Sequence, residues 1–164
     1  MIDSQSVKTS EGGEERGVDV HKQTPGRKRH LVVDVLGLVL LVVVHSASIQ
    51  DGAGGLLTLQ KLFDHIKHNL HNRWCRLKLI WADGGYPSII DAVRQRFGWT
   101  LQIVKRSDDV KGFQVIPHRW VVERTFGWLG RYRRLARDYE HTTLSSESMV
   151  YIASSRRMLK MLAT

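Results

Sequence analysis

Three carboxylates are candidates for metal-dependent chemistry: Asp3, Asp83 and Glu123. Asp3 lies in a short segment at the start of the chain, Asp83 directly follows the apolar run Leu77–Ala82, and Glu123 lies in a segment with helical spacing. Carboxylate oxygens are the ligands that hard divalent ions prefer. Two such ions can activate the attacking and the leaving oxygen of a phosphoryl transfer. If the three side chains converge, the sequence predicts a metal site for chemistry on phosphates.

Each carboxylate also has a plainer interpretation. An Asp-Gly-Gly turn after a strand, as at Asp83, is common in proteins without any catalytic role. Glu123 follows Arg119 by four residues, which is the spacing of an ordinary ion pair on a helix surface. Asp3 is close enough to the chain start to be a solvated terminal acid. The sequence alone leaves both interpretations open for each residue.

The first elements of the chain are predicted from its apolar pattern. The run Leu31–Ser46 is rich in β-branched residues and broken at Gly37, which predicts two antiparallel strands around a tight turn. Leucines at helical spacing over Gly52–Asn69 predict an amphipathic helix with Asp51 as its N-cap. Residues Ser4–His30 are rich in Gly, Ser, Thr and charge, which predicts a long connection after a short opening strand.

The later elements alternate between strand and helix before two closing helices. The strands are predicted at Leu77–Ala82 and Leu101–Val104, and the helices at Ile89–Phe97, Arg119–Arg134 and Ser145–Leu162, the last with Met149, Ile152, Ala153, Met158 and Leu159 inward. Three early strands followed by this alternation match the element order of the ribonuclease H-like fold. The predicted fold class is therefore α/β, a ribonuclease H-like mixed sheet flanked by helices, in one domain over residues 1–164.

The charge of the chain predicts an acidic partner, most often nucleic acid. Of the 164 residues, 25 are Lys or Arg and 16 are Asp or Glu, which gives a formal net charge of +9. Nine cations against three acids fall between Lys105 and Arg137, interleaved with Trp120, Trp128 and Tyr132, which could stack on bases or belong to the core. The candidate DNA-binding residues are Arg27, Lys28, Arg29, Lys105, Arg106, Arg119, Arg124, Arg131, Arg133 and Arg134. The alternative for both basic groups is a solvated face.

Several classes of protein are disfavoured by the composition. The single cysteine, Cys75, excludes an intrachain disulfide and fits a reducing cytoplasm. The longest apolar run, Val35–Val44, is far shorter than the roughly 20 residues needed to cross a bilayer. The first 30 residues are polar and lack a secretory signal. We therefore expect a cytoplasmic protein with no membrane partner.

Several longer segments resemble one protein family. They are Ile2–Lys8, Gly26–His30, Val33–Gly37, Trp81–Tyr86, Arg119–Trp128 and Arg133–Glu140. In this order they resemble the catalytic domain of bacterial insertion-sequence transposases of the DDE class, specifically the insertion sequence five family, over nearly the whole chain. The resemblance implies that Asp3, Asp83 and Glu123 bind two Mg²⁺ ions, with Mn²⁺ as a substitute. It further implies cleavage of double-stranded DNA at the element ends, strand transfer into target DNA, a homo-oligomer when active, and a phosphate-contacting or orienting role for Arg119.

Two features depart from that family. Its members often have a Tyr three residues before the Arg and a Lys seven residues after the Glu, where this chain has Ile116 and Gly130, with Arg131 adjacent. Only two residues precede Asp3, so the first strand is expected to be clipped and to fray, and the N-terminal DNA-binding domain to be absent. The chain would then be either the second half of a frameshifted enzyme, joined by an upstream-frame N-terminal half, or a truncated remnant.

Two other functions remain open from the sequence. A catalytically inactive fragment that acts only as a basic DNA-binding protein would bind DNA without regard to magnesium. A general ribonuclease H-like nuclease would keep the three carboxylates and cut DNA that lacks terminal repeats. Metal dependence and end dependence therefore separate the three functions.

Overall fold

The computed structural model describes residues 1–10, 12–68, 77–104 and 119–163, without the side chain of Arg119. Within these ranges the strands are β1 (Ile2–Lys8), β2 (Gly17–Asp19), β3 (Thr24–Val33), β4 (Val39–Ser46), β5 (Leu79–Ala82) and β6 (Thr100–Ile103). The α-helices are α1 (Asp51–His68), α2 (Ile90–Phe97), α3 (Arg119–Gly130) and α4 (Thr143–Leu162). Short 3₁₀ turns cover Pro87–Ile89 and Arg133–Leu135.

Strand β3 is the centre of the first sheet. β1 pairs with it antiparallel from Ile2 opposite Val32 to Lys8 opposite Gly26. β4 also pairs with β3 antiparallel, and β2 pairs with its first residues. β5 and β6 form a parallel pair connected through α2, as a parallel pair requires, and β5 contacts β1. This mixed arrangement of strands flanked by four described helices confirms the predicted fold class.

The alternation of side chains along β3 divides the core into two halves. Leu31 and Val33 point to one face of the sheet, where they pack with residues of α3 and α4 such as Val122 and Val150. Val32 points to the opposite face and packs with residues of α1, β5 and α2. Helices therefore cover the first sheet on both faces.

The prediction of a long connection over Ser4–His30 is wrong. β1, β2 and most of β3 occupy this region, and Ile2 is fully buried. The expected fraying of the first strand is also not observed, because the Met1 amino group donates to the Val33 carbonyl at 2.7 Å and the Val33 N–H donates back to Met1 at 2.8 Å. β1 is thus anchored to β3 from its first residue.

A run of buried basic residues in β3 explains why the sequence pattern failed there. Arg27, Lys28 and Arg29 are each at most 3 % exposed. Arg27 donates to the backbone carbonyls of residues 14, 140 and 141, and Arg29 donates to the Leu135 carbonyl at 2.8 Å. A structural role explains these three residues better than the predicted DNA contact, because they are buried and most of their charged N–H groups bind carbonyls and carboxylates of the chain itself.

The closing helices differ from prediction in extent and orientation. α3 ends at Gly130 rather than near Arg134, and α4 begins after Thr142, whose hydroxyl accepts the Ser145 N–H at 3.1 Å. Ile152 and Leu159 of α4 were expected to point inward, but they are 61 % and 67 % exposed. The buried face of α4 is instead made by Ser146, Val150, Ala153 and Ser154. In the described ranges, no helix combines the length and apolarity that crossing a membrane requires.

Helix α4 also covers the outer edge of the first sheet. The Val42 N–H of β4 donates to the Tyr151 hydroxyl at 3.1 Å, and the Val44 N–H donates to Glu147 Oε1 at 2.9 Å. Both donors lie on the edge strand, where they would otherwise need water or another strand. Side chains of α4 therefore complete the hydrogen bonding of β4.

Two buried histidines lie between β3, β4 and α1. His30 Nδ1 is 2.8 Å from His45 Nε2, and His45 Nδ1 is 2.8 Å from the Ser46 carbonyl. A carbonyl can only accept, so His45 Nδ1 carries a proton, and with both rings neutral His30 Nδ1 donates to His45 Nε2. His30 Nε2 is buried without a hydrogen-bond partner. Desolvation, with the nearby His45, lowers the pKa of His30 to about 3, and burial also lowers the pKa of His45.

We expect acid to destabilise the protein through this pair. In the unfolded chain a histidine takes up its proton near pH 6.5, whereas folded His30 resists protonation until about pH 3. The unfolded state therefore binds more protons in that window, and His30 alone should cost about 2 kcal/mol of unfolding free energy between pH 7 and pH 5. Urea unfolding at the two pH values measures this loss. The unfolding free energy of a His30→Asn variant should fall less between the two pH values, whereas that of the exposed control His21→Asn should fall as in the unaltered chain. An equal fall in the unaltered chain and both variants would contradict the assignment.

Candidate functional site

Asp3 and Asp83 are placed by neighbouring strands. Asp3 lies in β1, half-buried, and its Oδ1 accepts the Ser4 N–H at 2.7 Å. Asp83 directly follows β5, which contacts β1. Its Oδ1 accepts the Gly85 N–H at 2.8 Å and thereby closes the turn predicted after this strand.

A buried tyrosine shows that these carboxylates share one region. Tyr86 is fully buried, and its pKa is raised well above the usual value by burial and by the negative charges of Asp3, Asp51 and Asp83. All three carboxylates therefore act on the same hydroxyl. Such a concentration of negative charge with oxygen donors fits a hard divalent cation.

Asp51 is a member of this region that sequence reasoning missed. It begins α1 and was predicted to cap it, but its Oδ1 instead accepts the Ser4 hydroxyl at 2.8 Å and the Lys28 ammonium at 2.9 Å. Burial opposes ionisation of Asp51, yet the hydrogen bonds from Lys28 and Ser4 lower its pKa overall. Lys28 also lies 3.4 Å from Asp19. The buried lysine thus joins β3 to α1, while Ser4 joins β1 to α1 next to Asp3. Ser4 and Asp51 are 47 positions apart, and no sequence signal indicates the contact.

Glu123 lies on the exposed face of α3. Its neighbours Val122 and Phe126 point into the core, and α3 contacts β1, the strand that carries Asp3. In the parts of the chain that the structure describes, no group of three or more His, Cys, Asp and Glu side chains is close enough to hold a metal ion as it stands. The structure therefore brings Asp3 and Asp83 into one region and does not gather Glu123 with them into a finished cluster.

Two adjacent glycines allow a matched test of this region. A Cβ on Gly85 would lie 3.2 Å from Asp83 Oδ1 and 3.2 Å from the Asp51 Cβ, whereas a Cβ on Gly84 meets nothing within 4 Å. We expect Gly85→Ala to displace Asp83 by a few tenths of an ångström and to weaken Mn²⁺ binding about threefold to tenfold, measured by calorimetry. Gly84→Ala should bind as the unaltered chain does. Equal effects of the two substitutions would count against a site at this turn.

The predicted DNA-binding residues of the C-terminal part differ in their surroundings. Arg124 lies between the rings of Trp120 and Trp128, at 4.3 and 4.5 Å from their centroids, and donates to the Leu36 carbonyl at 2.9 Å. Trp120 is 42 % exposed, so the core interpretation does not apply to it.

The remaining candidates divide into exposed residues and residues outside the described ranges. Arg131 and Arg133 are exposed, while exposed Arg134 pairs with Glu140 at 2.7 Å. Lys105, Arg106 and the Arg119 side chain lie outside the described residues, as do Ile116 and Cys75. Arg27, Lys28 and Arg29 are buried as described above. The exposed candidates thus cluster at the end of α3 and in the turn that follows it.

Known proteins similar to this chain belong to one family. The family model described as "Transposase DDE domain" matches residues 1–154. A protein of Burkholderia cepacia, whose name describes a candidate transposase for insertion sequence element IS402, is 35 % identical over 118 residues, which cover 71 % of this chain and 54 % of that protein. The chain therefore spans about half the length of the curated relative that it matches. No solved structure matches the chain.

Proposed function

The chain belongs to the transposase DDE domain family, and from this membership and the site geometry we propose that it is the catalytic domain of a DNA transposase. The proposed reaction is metal-dependent cleavage of double-stranded DNA at insertion-sequence ends, followed by strand transfer into target DNA. The observation that carries the proposal is the contact between β1, which holds Asp3, and β5, which Asp83 directly follows. The narrower assignment to the insertion sequence five family stays a prediction.

Asp3, Asp83 and Glu123 are proposed to hold Mg²⁺, or Mn²⁺ as a substitute. When bound, such ions would supply activation of the attacking oxygen and stabilisation of the leaving oxygen. Asp3 is fixed by the β1–β3 pairing and Asp83 by its own turn. Lys28 and Ser4 keep Asp51 ionised, which maintains negative charge behind the site. Glu123 is proposed to complete the ligand set from α3, with Arg119 contacting phosphate or orienting Glu123.

The proposed partner is double-stranded DNA, as element ends and as target. Exposed Arg131, Arg133 and Arg134, half-buried Arg124, and Lys105 and Arg106 are proposed to contact its phosphates. We further propose that the active form is a homo-oligomer in the cytoplasm. An upstream-frame N-terminal half would supply sequence-specific end binding.

Incubation of the purified chain with duplex DNA carrying the ends of its own element tests the function. Strand cleavage that leaves a 3′ hydroxyl is expected with Mg²⁺ or Mn²⁺ and not with EDTA. Without a metal ion the carboxylates neither activate the attacking water nor stabilise the leaving oxygen. A duplex with scrambled ends is the matched control. Equal cutting of both duplexes would indicate a general nuclease, and DNA binding without cleavage under any metal would indicate the non-catalytic DNA-binding fragment.

A further inference from the structure

A cavity between α3 and α4 is lined by cations and aromatic rings. Its volume is about 260 Å³, and we call it the α3–α4 basic pocket. Its lining residues are Trp128, Arg131, Tyr132, Arg156, Arg157 and Lys160. Three of them belong to α4, for which the sequence pattern predicts only a packing helix. No acidic side chain is among the lining residues, so the pocket carries a concentrated positive charge.

Three arginines of this pocket have no carboxylate partner in the described chain. Within the described chain, Arg131, Arg156 and Arg157 form no ion pair with a carboxylate. Desolvation and the nearby positive charges of Arg124 and Arg131 lower the pKa of Arg157. Arg157 Nε is also buried without a hydrogen-bond partner. An anion in the pocket would offset the positive charges of these arginines.

The aromatic rings hold the guanidinium groups in place. The Arg156 guanidinium lies over the Tyr132 ring, 5.7 Å from its centroid, and the Arg157 guanidinium lies over Trp128. Tyr132 itself is fixed by its hydroxyl, which donates to the Ala153 carbonyl at 3.3 Å. Stacked guanidinium groups present a planar set of N–H donors that matches the oxygens of a phosphate. Two of the guanidinium groups of the pocket thus lie against aromatic rings.

The cationic surface extends beyond what one small anion would need. Arg156 also lines a neighbouring cavity of about 330 Å³, together with Arg133 and Arg134. These two arginines in turn line a third cavity of about 410 Å³ with Tyr139. Cations thus recur along three cavities that share lining residues, with apolar surface between them. Cations spaced in this way fit a polyanion, since duplex DNA carries one charge per roughly 1.7 Å of its axis.

We propose that the α3–α4 basic pocket binds backbone phosphates of double-stranded DNA, so that α4 forms part of the DNA-binding surface. This inference rests on the proposed function for the identity of the polyanion. It adds Arg156, Arg157 and Lys160 to the DNA contacts, none of which the sequence pattern indicated.

The test is the affinity of the purified chain for a labelled duplex of about 20 base pairs, measured by fluorescence anisotropy in EDTA over a range of salt concentrations. The variant is Arg156→Ala/Lys160→Ala, and the matched control is Arg94→Ala/Arg96→Ala, which removes two exposed cations from α2. Alanine is well tolerated in helices, and circular dichroism checks that both variants fold. We expect the pocket variant to bind DNA at least about tenfold more weakly, and the slope of log affinity against log salt concentration to fall in magnitude by roughly two. The DNA affinity of the control should change less than about threefold.

Each alternative result overturns the proposal. Unchanged affinity of the pocket variant, an equal loss in the control, or no DNA binding by the unaltered chain would each do so. The proposal also fails if both chains bind DNA equally and inorganic phosphate stabilises only the unaltered chain. The site would then take a small anion only. The binding assay contains no metal, so it is independent of the cleavage assay. Weaker DNA binding by the pocket variant, together with no cleavage by the unaltered chain when metal is present, would support the pocket and reject the proposed catalytic function.

Discussion

Replacing Asp83 by asparagine is expected to lower metal-dependent DNA cleavage by at least about a hundredfold, because a neutral amide holds a divalent cation poorly. The asparagine Oδ1 can still accept the Gly85 N–H that closes the turn, so the fold should survive. DNA affinity in EDTA should also stay unchanged, because the substitution removes no cation. Cleavage rates, DNA affinity and the midpoint of thermal unfolding measure the three expectations separately.

The matched control for this substitution is Asp91→Asn, in an exposed acid of α2. It removes the same charge outside the carboxylate region and should leave cleavage within about twofold of the unaltered chain. Glu123→Gln should match Asp83→Asn in its loss of cleavage and in its retained DNA binding. Wild-type rates with either substitution, or a loss of DNA binding, would reject the corresponding residue as a metal ligand.

The largest effect on stability is expected from Arg27→Met. Arg27 is fully buried, with Nη1 3.5 Å from Asp138 and further donor groups bound to three backbone carbonyls. Methionine fills much of the same volume but leaves the buried Asp138 charge and these carbonyls with fewer partners. The unfolding free energy should fall by about 3 to 5 kcal/mol, as measured by urea denaturation.

Arg133→Met is the control for this change, because Arg133 is exposed and carries no ion pair among the described residues. Its effect should stay within about 0.5 kcal/mol. A similarly small loss for Arg27→Met would show that the buried arginine is dispensable for folding. It would also reopen the prediction that Arg27 contacts DNA.

The elements that the sequence predicted correctly are those whose apolar residues repeat with a clear period. The valines around Gly37 predicted β3 and β4, whose turn places Gly37 at a φ of +83°. The polar half of β3 was missed because charged residues in sequence indicate solvent. Apart from the Glu14 carbonyl, the groups that bind Arg27 lie more than 110 residues away, and no local pattern carries that information.

The candidate site was predictable only in part for a related reason. Asp83 follows an apolar run and precedes two glycines, so a strand-end turn was evident, and the structure confirms it. Asp51 resembled an ordinary N-cap because its partners Ser4 and Lys28 come from different strands. The exposed residues Ile152 and Leu159 show the opposite failure, since apolar spacing on α4 did not reveal which face meets β4. The ligand role of Asp3, Asp83 and Glu123 stays a prediction.

The contacts of Arg27 have a consequence for the synthesis of the protein. The segment around Asp138 bonds to the end of β1, with Asp138 N–H donating to Lys8 and Ser10 N–H donating to Asp138, and it closes over Arg27 through the carbonyls of Glu140 and His141. The strand that carries Asp3 is therefore completed only when residues near 140 have left the ribosome. Folding must wait for most of the chain, and a nascent chain stopped before this segment would leave two buried arginines without their acceptors.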